Sequence, residues 1–171
     1  MKLTKKDFKN GEYIGEIDFT KRYEGSIEIE GSLGWVRFKR LWVSGQIVAE
    51  RGTGISAGSG ISAGWGISAG WGISAGSGIS AGWGISAGEG ISAKLTLKVG
   101  YRVFAGISRW VKNPTQEQLQ IKCGKFEGGE ICYGNLVETG LLEEQDQCAS
   151  VESACDHRQT TPFCSQCGAK L

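Results

Sequence analysis

Hydrophobic positions recur every six residues through the middle of this chain. Between Gly54 and Ala93 the unit Gly-Ile-Ser-Ala-Gly-x repeats without a break. In an extended Ile-Ser-Ala triplet, Ile and Ala point to one side and Ser to the other, because strand side chains alternate. Glycine on both sides of the triplet permits the φ angles that a sharp corner requires. The pattern therefore predicts short strands that alternate with glycine corners and turn their isoleucines inward.

The period itself predicts a parallel β-helix. Glycine disfavours a helix by about 1 kcal/mol relative to Ala, and period-six repeats are typical of parallel β-helices. The variable sixth position indicates how many repeats form one coil. A spacing of three repeats aligns Ser59 with Ser77, Trp65 with Trp83 and Trp71 with Glu89, whereas a spacing of two pairs Trp with Ser. We therefore expect an all-β fold, a parallel β-helix with about 18 residues per coil.

The same register places aromatic residues in a column. Leu97 and Val103 continue the isoleucine positions, so Tyr101 would extend the Trp65–Trp83 column. Vertical neighbours about 4.8 Å apart can stack, which is worth roughly 0.5–1.5 kcal/mol per pair. Two interpretations remain open, stacking that fixes the register and a surface that binds a partner. For the second, the candidate residues are Trp65, Trp71, Trp83, Tyr101, Arg102 and Arg109.

The amino-terminal third predicts a cap and one irregular coil. We expect an amino-terminal cap over residues 1–26, with a helical turn from Thr4, and a solenoid over residues 27–108 that contains the perfect repeats of residues 54–93. Bulky apolar residues recur every six positions, but in an irregular sequence, at Ile29, Trp35, Leu41 and Ile47. This pattern predicts a degenerate first coil over residues 27–50. Terminal coils must be atypical because an open solenoid end exposes its core.

Bulky side chains in that first coil have two interpretations. Trp35, Phe38 and Trp42 are expected to be cap residues, while the basic residues Arg37, Lys39, Arg40 and Arg51 face water. The alternative is an aromatic and basic platform for single-stranded nucleic acid, where bases stack on rings and cations hold phosphates.

After residue 108 the periodicity ends, and residues 109–145 predict a helical turn followed by a β-hairpin cap. Pro114 stands at a first helical position, and Thr115 with Gln118 forms a capping box. The runs Leu119–Glu127 and Glu130–Glu138 flank Gly128-Gly129, a two-residue hairpin signal. In that hairpin Cys123 and Cys132 would be diagonal, too far apart for an unstrained disulfide, and are expected to be buried thiols.

Residues 146–171 predict a zinc site. Cys164-x-x-Cys167, preceded by Phe163 and followed by Gly168, resembles the second knuckle of zinc ribbons. The resemblance implies that Cys155 and His157 supply the other two ligands, with Cys148 as the substitute for His157. Four protein ligands make a closed, structural Zn²⁺ site. The acidic residues around it (Glu143, Glu144, Asp146, Glu152 and Asp156) favour docking to a protein.

Charge is distributed unevenly along the 171 residues, although the net charge is only +1. Residues 94–122 carry +5 and residues 123–171 carry −5. The basic part forms a collar of Lys94, Lys98, Arg102, Arg109 and Lys112, which either attracts the acidic tail or binds a partner. Because no apolar stretch reaches 18 residues and no signal peptide begins the chain, we expect a soluble, cytoplasmic protein without a membrane partner.

The Gly-Ile-Ser-Ala-Gly-x repeats resemble those of left-handed hexapeptide-repeat proteins, which include acyltransferases and gamma-class carbonic anhydrases. The resemblance implies a β-prism, while the handedness stays open because Trp, Ser or Glu occupies the position where that family has a small residue. Those enzymes use histidines on the prism, and the only histidine here is His157. We therefore expect neither acyl transfer nor carbonic anhydrase chemistry. Because the sequence also offers no constellation of nucleophile and base, we expect no enzymatic activity and no small-molecule substrate.

A wider resemblance links the repeats to two later motifs, Arg-Val-Phe-Ala-Gly…Trp at residues 102–110 and Cys-Gly-Lys-x-Glu-Gly-Gly at residues 123–129. Together with the terminal ribbon they are similar to uncharacterised proteins of bacteria and their phages. This implies a non-enzymatic protein that binds a protein or ribonucleoprotein, such as an anti-CRISPR-like inhibitor of a host defence or nucleic-acid-processing complex. The alternatives are a sequence-tolerant nucleic-acid-binding protein that uses the basic collar and a self-assembling structural solenoid.

Overall fold

A computed structural model describes residues 1–107 and 113–140, which all belong to the compact unit Met1–Leu141. The predicted zinc ligands and Arg109 lie outside the described residues. Strands dominate residues 1–107 and 113–140, which contain one short 3-10 helix at Lys5–Asp7. The strands are β1 (Lys2–Leu3), β2 (Phe8–Lys9), β3 (Glu12–Tyr13), β4 (Ile27–Ile29), β5 (Gly34–Phe38), β6 (Leu41–Val43), β7 (Ile47–Ala49), β8 (Thr53–Ala57), β9 (Ile61–Ala63), β10 (Ile67–Ala69), β11 (Ile73–Ala75), β12 (Ile79–Ala81), β13 (Ile85–Ala87), β14 (Ile91–Val99), β15 (Arg102–Ala105), β16 (Gln120–Glu127), β17 (Glu130–Tyr133) and β18 (Asn135–Glu138).

The strands form a parallel β-solenoid of about six turns with three faces. The first face contains β1, β4, β7, β10, β13, β15 and β17. The second contains β5, β8, β11, the start of β14, β16 and β18. The third contains β6, β9, β12 and the end of β14, because this long strand bends from one face to the next. Within the perfect repeats, Ile67 pairs with Ile85 and Ile73 with Ile91, which confirms three repeats per coil.

Isoleucine fills the interior as the alternation predicts. Every isoleucine of the perfect repeats, from Ile55 to Ile91, is at most 2% exposed. The alanine of each triplet is also buried, and the serine between them faces outward. Burial of each isoleucine stabilises the fold by roughly 1.5–3 kcal/mol, so the dry column accounts for much of the stability of this unit.

Glycine at the corners allows successive coils to stack closely. At Gly82 an added Cβ atom would collide with the carbonyl oxygen of Gly64, and at Gly100 with that of Gly82. The amide of the next residue donates along the stack, as from Trp83 to the Trp65 carbonyl over 3.0 Å. From Gly64 to Gly88, the glycine before each variable position is therefore required by the neighbouring backbone, whereas an added Cβ atom at Gly58 would make only an ordinary contact.

The first coil exists, but its register differs from the predicted one. Val36, not Trp35, pairs with Ile55, and Ile27, not Ile29, pairs with Ile47. The spacing to the next coil is 20 residues on the first face, from Ile27 to Ile47. On the second and third faces Val36 and Leu41 are only five residues apart, so the six-residue count back from Leu41 falls on Trp35, which lies outside the core.

An aromatic cluster packs at the amino-terminal end of the column. Phe38 is buried, as expected of a cap residue, and its ring stacks on that of Tyr13 with centroids 5.3 Å apart. Phe8 and Phe19 each pack edge-on against the Phe38 ring, with ring centroids 5.8 Å apart. The predicted turn at Thr4 is present as the 3-10 helix, where the Thr4 amide donates to the Asp7 carboxylate over 2.7 Å.

The predicted β-hairpin cap is wrong. β16 pairs in parallel with β14 and β18, and β17 pairs in parallel with β15, so these strands continue the solenoid. Gly128 and Gly129, with φ of 72° and 70°, form a corner instead of a hairpin turn. Ile121 aligns with Ile91 and so extends the core column. At Thr115, the amide donates to the Gln118 side chain over 3.0 Å, as the predicted box requires.

Candidate functional site

Three of the predicted partner-binding residues stand in one exposed column. Trp65, Trp83 and Tyr101 follow Gly64, Gly82 and Gly100 at the corner between the third and first faces, which we name the aromatic corner. Their exposed fractions are 63%, 71% and 69%. The rings of Trp65 and Trp83 are stacked, with centroids 6.3 Å apart and an interplanar angle of 18°.

A shallow groove on the first face lies beside the aromatic corner. It has a volume of about 330 Å³. Its floor is formed by outward residues of successive strands, and its side by two rings of the aromatic corner. The side chains that shape it are Val48, Ser68, Ser86, Phe104, Trp83 and Tyr101. Within the described residues, Arg102 is the only charged residue of its lining, so the groove suits an apolar or aromatic group.

Val48 and Phe104 are functional candidates that the sequence analysis missed. Val48 pairs with Ser68, and Phe104 pairs with Ser86, so both occupy the outward position that the perfect repeats give to serine. A large apolar residue at an outward position signals a binding surface, because exposing apolar surface to water is unfavourable unless a partner covers it. That signal could have identified the groove once the register was known.

Trp71 lies apart from the aromatic corner. It occupies the corner between the first and second faces, where its carbonyl accepts from the Glu89 amide over 3.4 Å. It is 37% exposed. A Cβ atom on Gly34 would lie 4.0 Å from its ring. The structure therefore separates Trp71 from the other aromatic candidates.

The described part of the basic collar does not form one patch. Lys94 lies at the corner between the second and third faces, Lys98 points outward from the third face, and Arg102 belongs to the first face. All three are exposed. Arg109 and Lys112 of the predicted collar lie outside the described residues. The three described cations therefore face different sides of the solenoid.

Acidic residues gather at the corner that carries Trp71. Glu30 and Glu50 lie there on adjacent coils, and Glu89 lies one coil beyond Trp71. Lys2 donates to the Glu50 carboxylate over 2.8 Å, and this hydrogen bond is the main reason why the pKa of Glu50 is lowered. The same hydrogen bond raises the pKa of Lys2, assisted by the charge of Glu28. The solenoid thus presents different chemistry at different corners.

The two described cysteines have opposite environments. Cys123 is 2% exposed and aligns with Ala93 in the core, as expected of a buried thiol. Burial raises its pKa, with a smaller contribution from the Glu138 charge. Cys132 is exposed, so the expectation that it is buried is wrong. Both are free thiols.

A metal site can be assessed only for part of the chain. Residues 1–107 and 113–140 contain no group of three or more His, Cys, Asp or Glu side chains that could hold a metal ion. The predicted ligands Cys155, His157, Cys164 and Cys167, and the substitute Cys148, lie beyond these ranges. Within the same ranges, no helix has the length and hydropathy to cross a bilayer.

Comparison with known proteins adds no relative. No family model, curated protein or solved structure matches this chain. Inference about function therefore starts from the geometry of the aromatic corner and the groove beside it.

Proposed function

We propose that this protein is a non-enzymatic binding protein that engages a macromolecular partner through the aromatic corner and the groove on the first face. The observation that carries the proposal is the exposure of Trp83 and Tyr101, at 71% and 69%, beside an apolar groove. Tryptophan, tyrosine and arginine dominate the binding energy of protein interfaces. Arg102 and Tyr101 are adjacent in sequence, so all three residue types meet at this groove.

Rigidity favours this surface as a binding site. The ring of Trp83 rests on that of Trp65, and its backbone is fixed by hydrogen bonds to the coils on both sides. A side chain held in this way loses little conformational entropy when a partner covers it. The groove volume of about 330 Å³ would take one or two apolar side chains of a protein partner.

For the partner, we propose a host protein or ribonucleoprotein in the bacterial cytoplasm, with this chain acting as an anti-CRISPR-like inhibitor of a defence or nucleic-acid-processing complex. The support is the resemblance of its repeats and its two later motifs to uncharacterised proteins of bacteria and phages. A plasmid-interference assay in bacteria with an active CRISPR system tests this. Expression of the wild-type chain should restore plasmid acceptance, and unchanged interference would contradict the proposal.

The repeats themselves supply the matched variants for a binding test. Serine stands at the position of Trp83 in other repeats, at Ser59 and Ser77, so Trp83→Ser should leave the coil intact. A second variant combines Trp83→Ser with Ser77→Trp, which moves the ring to another corner at constant composition. Both should reduce partner capture from a bacterial lysate, measured by quantitative mass spectrometry, by about 30-fold or more.

The outcome of this comparison is decisive for the surface. Capture that is equal for the wild type and Trp83→Ser would show that the groove is not the interface. Full recovery of capture by the variant that carries the ring at position 77 would also contradict it, because the ring would then act without the groove.

We further propose that Cys155, His157, Cys164 and Cys167 hold a structural Zn²⁺, with Cys148 able to replace His157. Thiolate and imidazole are the ligands of structural zinc sites. Elemental analysis of the purified chain should find about one zinc per chain in the wild type. Cys164→Ser should lose most of it, and an equal zinc content in both would overturn this ligand set.

A further inference from the structure

The third face brings together two groups of residues that are distant in the sequence. Arg40 and Trp42 belong to the first coil, whereas Lys98 belongs to β14. Outward positions align along this face from Trp42 through Ser62 and Ser80 to Lys98. A groove of about 510 Å³ runs along them. It is lined by Arg40, Ser59, Ser62, Ser77, Ser80, Thr96 and Lys98.

The two cations mark the ends of a polar strip. Three strand spacings of about 4.8 Å separate the first strand of the face from the last, a distance of about 14 Å. That length corresponds to about four phosphate intervals at the 3.4 Å rise of a stacked nucleic-acid strand. Between the cations the strip carries five hydroxyl groups, from Ser59, Ser62, Ser77, Ser80 and Thr96. Hydroxyl groups of this kind donate to phosphate and sugar oxygens.

Charge around the groove favours an anion. No carboxylate lines it among the described residues. Near its two ends, two acidic groups, Asp18 and Glu127, have partners of their own. Asp18 accepts from the Thr20 amide over 3.0 Å, and hydrogen bonds from Thr20 lower its pKa. Glu127 of β16 is aligned with Lys98 of β14 and forms an ion pair with Lys125 over 3.1 Å.

An aromatic ring, that of Trp42, lies beside Arg40, next to one end of the groove. The Arg40 guanidinium lies 5.0 Å from the ring centroid of Trp42. Ring and cation together offer a stacking surface for a base next to a partner for a phosphate. Single-stranded nucleic acid is bound by this combination of aromatic rings and positive charge.

We propose that the third face binds single-stranded nucleic acid, with phosphates at Arg40 and Lys98 and a base stacked on Trp42. A single strand fits better than a duplex, because the cations lie in one row and the ring requires an unpaired base. This surface is distinct from the groove on the first face. The two surfaces can therefore be tested separately.

The test is fluorescence anisotropy of the full chain with a labelled oligothymidylate of about 20 nucleotides, longer than the 4–16 nucleotides that one OB-fold domain covers. Binding should weaken as salt increases. Arg40→Gln and Lys98→Gln should each reduce the slope of log affinity against log salt by about 0.7, the value expected for one phosphate contact of a single strand. Trp42→Ser should weaken binding by about 5- to 150-fold with the slope unchanged.

Lys122→Gln is the matched control, because Lys122 is an exposed outward lysine of β16 on the second face. It should leave the slope unchanged, and so should Trp83→Ser. An equal change of slope in Lys122→Gln and Lys98→Gln would overturn the proposal, as would the absence of binding at low salt. Binding of a duplex or of a polyglutamate peptide as tight as that of the single strand would assign the face to another partner and also overturn it.

Discussion

The rings of Trp65 and Trp83 stack with their centroids 6.3 Å apart, one coil above the other. The backbone continues this relationship, since the Trp83 amide donates to the Trp65 carbonyl and the Tyr101 amide donates to the Trp83 carbonyl over 2.6 Å. The column therefore serves both interpretations of these tryptophans. Stacking fixes each ring, while each of the two residues stays more than half exposed for a partner.

Trp83→Ser should lower the free energy of unfolding only modestly, by about 0.5–1.5 kcal/mol, because it removes one stacked pair from an exposed position. Chemical denaturation measures this. Circular dichroism should lose the exciton signal of the stacked indoles in Trp83→Ser and keep it in Trp71→Ser. A loss above about 4 kcal/mol, a magnitude exceptional for any substitution, would mean that the ring is part of the core.

Ile73→Ala should be far more costly. Ile73 is 1% exposed in the middle of the column, with Ile55 and Ile91 as neighbours above and below. Removal of a buried isoleucine leaves a cavity and costs about 2–5 kcal/mol. Ser74→Ala, one residue later and outward-facing, is the control and should change stability by less than about 0.5 kcal/mol. Similar values for both, measured by urea unfolding, would contradict the inward orientation of isoleucine.

Gly76→Ala should also destabilise the solenoid, by about 1–3 kcal/mol, because its Cβ atom would collide with the carbonyl oxygen of Gly58. The matched control is Gly58→Ala, at the same repeat position one coil earlier. There the nearest atom to the new Cβ would be the Lys39 carbonyl oxygen at 3.6 Å, an ordinary contact. Thermal unfolding should separate the two variants, and equal midpoints would show that the coils can shift apart at little cost.

The perfect repeats made the fold predictable because they leave few alternative registers. Only a spacing of three repeats aligns Trp65 with Trp83 and Ser59 with Ser77, and the structure has this spacing. Inward and outward positions follow directly from the alternation of side chains in a strand. The residues of the aromatic corner were accessible to sequence reasoning for the same reason.

Irregular coils were not predictable in the same detail. The first coil departs from the regular spacing, so counting by six aligned Trp35 with the isoleucine column, where the structure has Val36. At the other end, Gly128-Gly129 satisfies both a hairpin turn and a solenoid corner. The choice depends on pairing with β14 and β15, which lie far from these glycines in sequence. Local patterns carry no information about such distant partners.

The grooves depend on that same long-range register. Val48 and Phe104 line one groove because the register places them in the same outward column, where the two coils between them carry only serine. Arg40 and Lys98 share a groove because the third face aligns the first coil with β14. In the sequence, Arg40 belongs to the first coil and Lys98 to the basic collar, which suggested two separate surfaces. The stacking of the coils brings both residues to one groove.

Cys123 and Cys132 should differ sharply in reactivity toward iodoacetamide at neutral pH. Cys123 is buried, and burial raises its pKa, so its reactive thiolate is scarce and inaccessible. Cys132 is exposed and should be modified rapidly. Peptide mapping by mass spectrometry measures both rates in the folded chain, with the unfolded chain in denaturant as the control, where the two rates should become similar.

Because the folded state favours the protonated Cys123 thiol, the free energy of unfolding should decrease as pH rises above the pKa of an unfolded cysteine. Cys123→Ala should weaken this decrease, and rapid modification of Cys123 in the folded chain would place it outside the core.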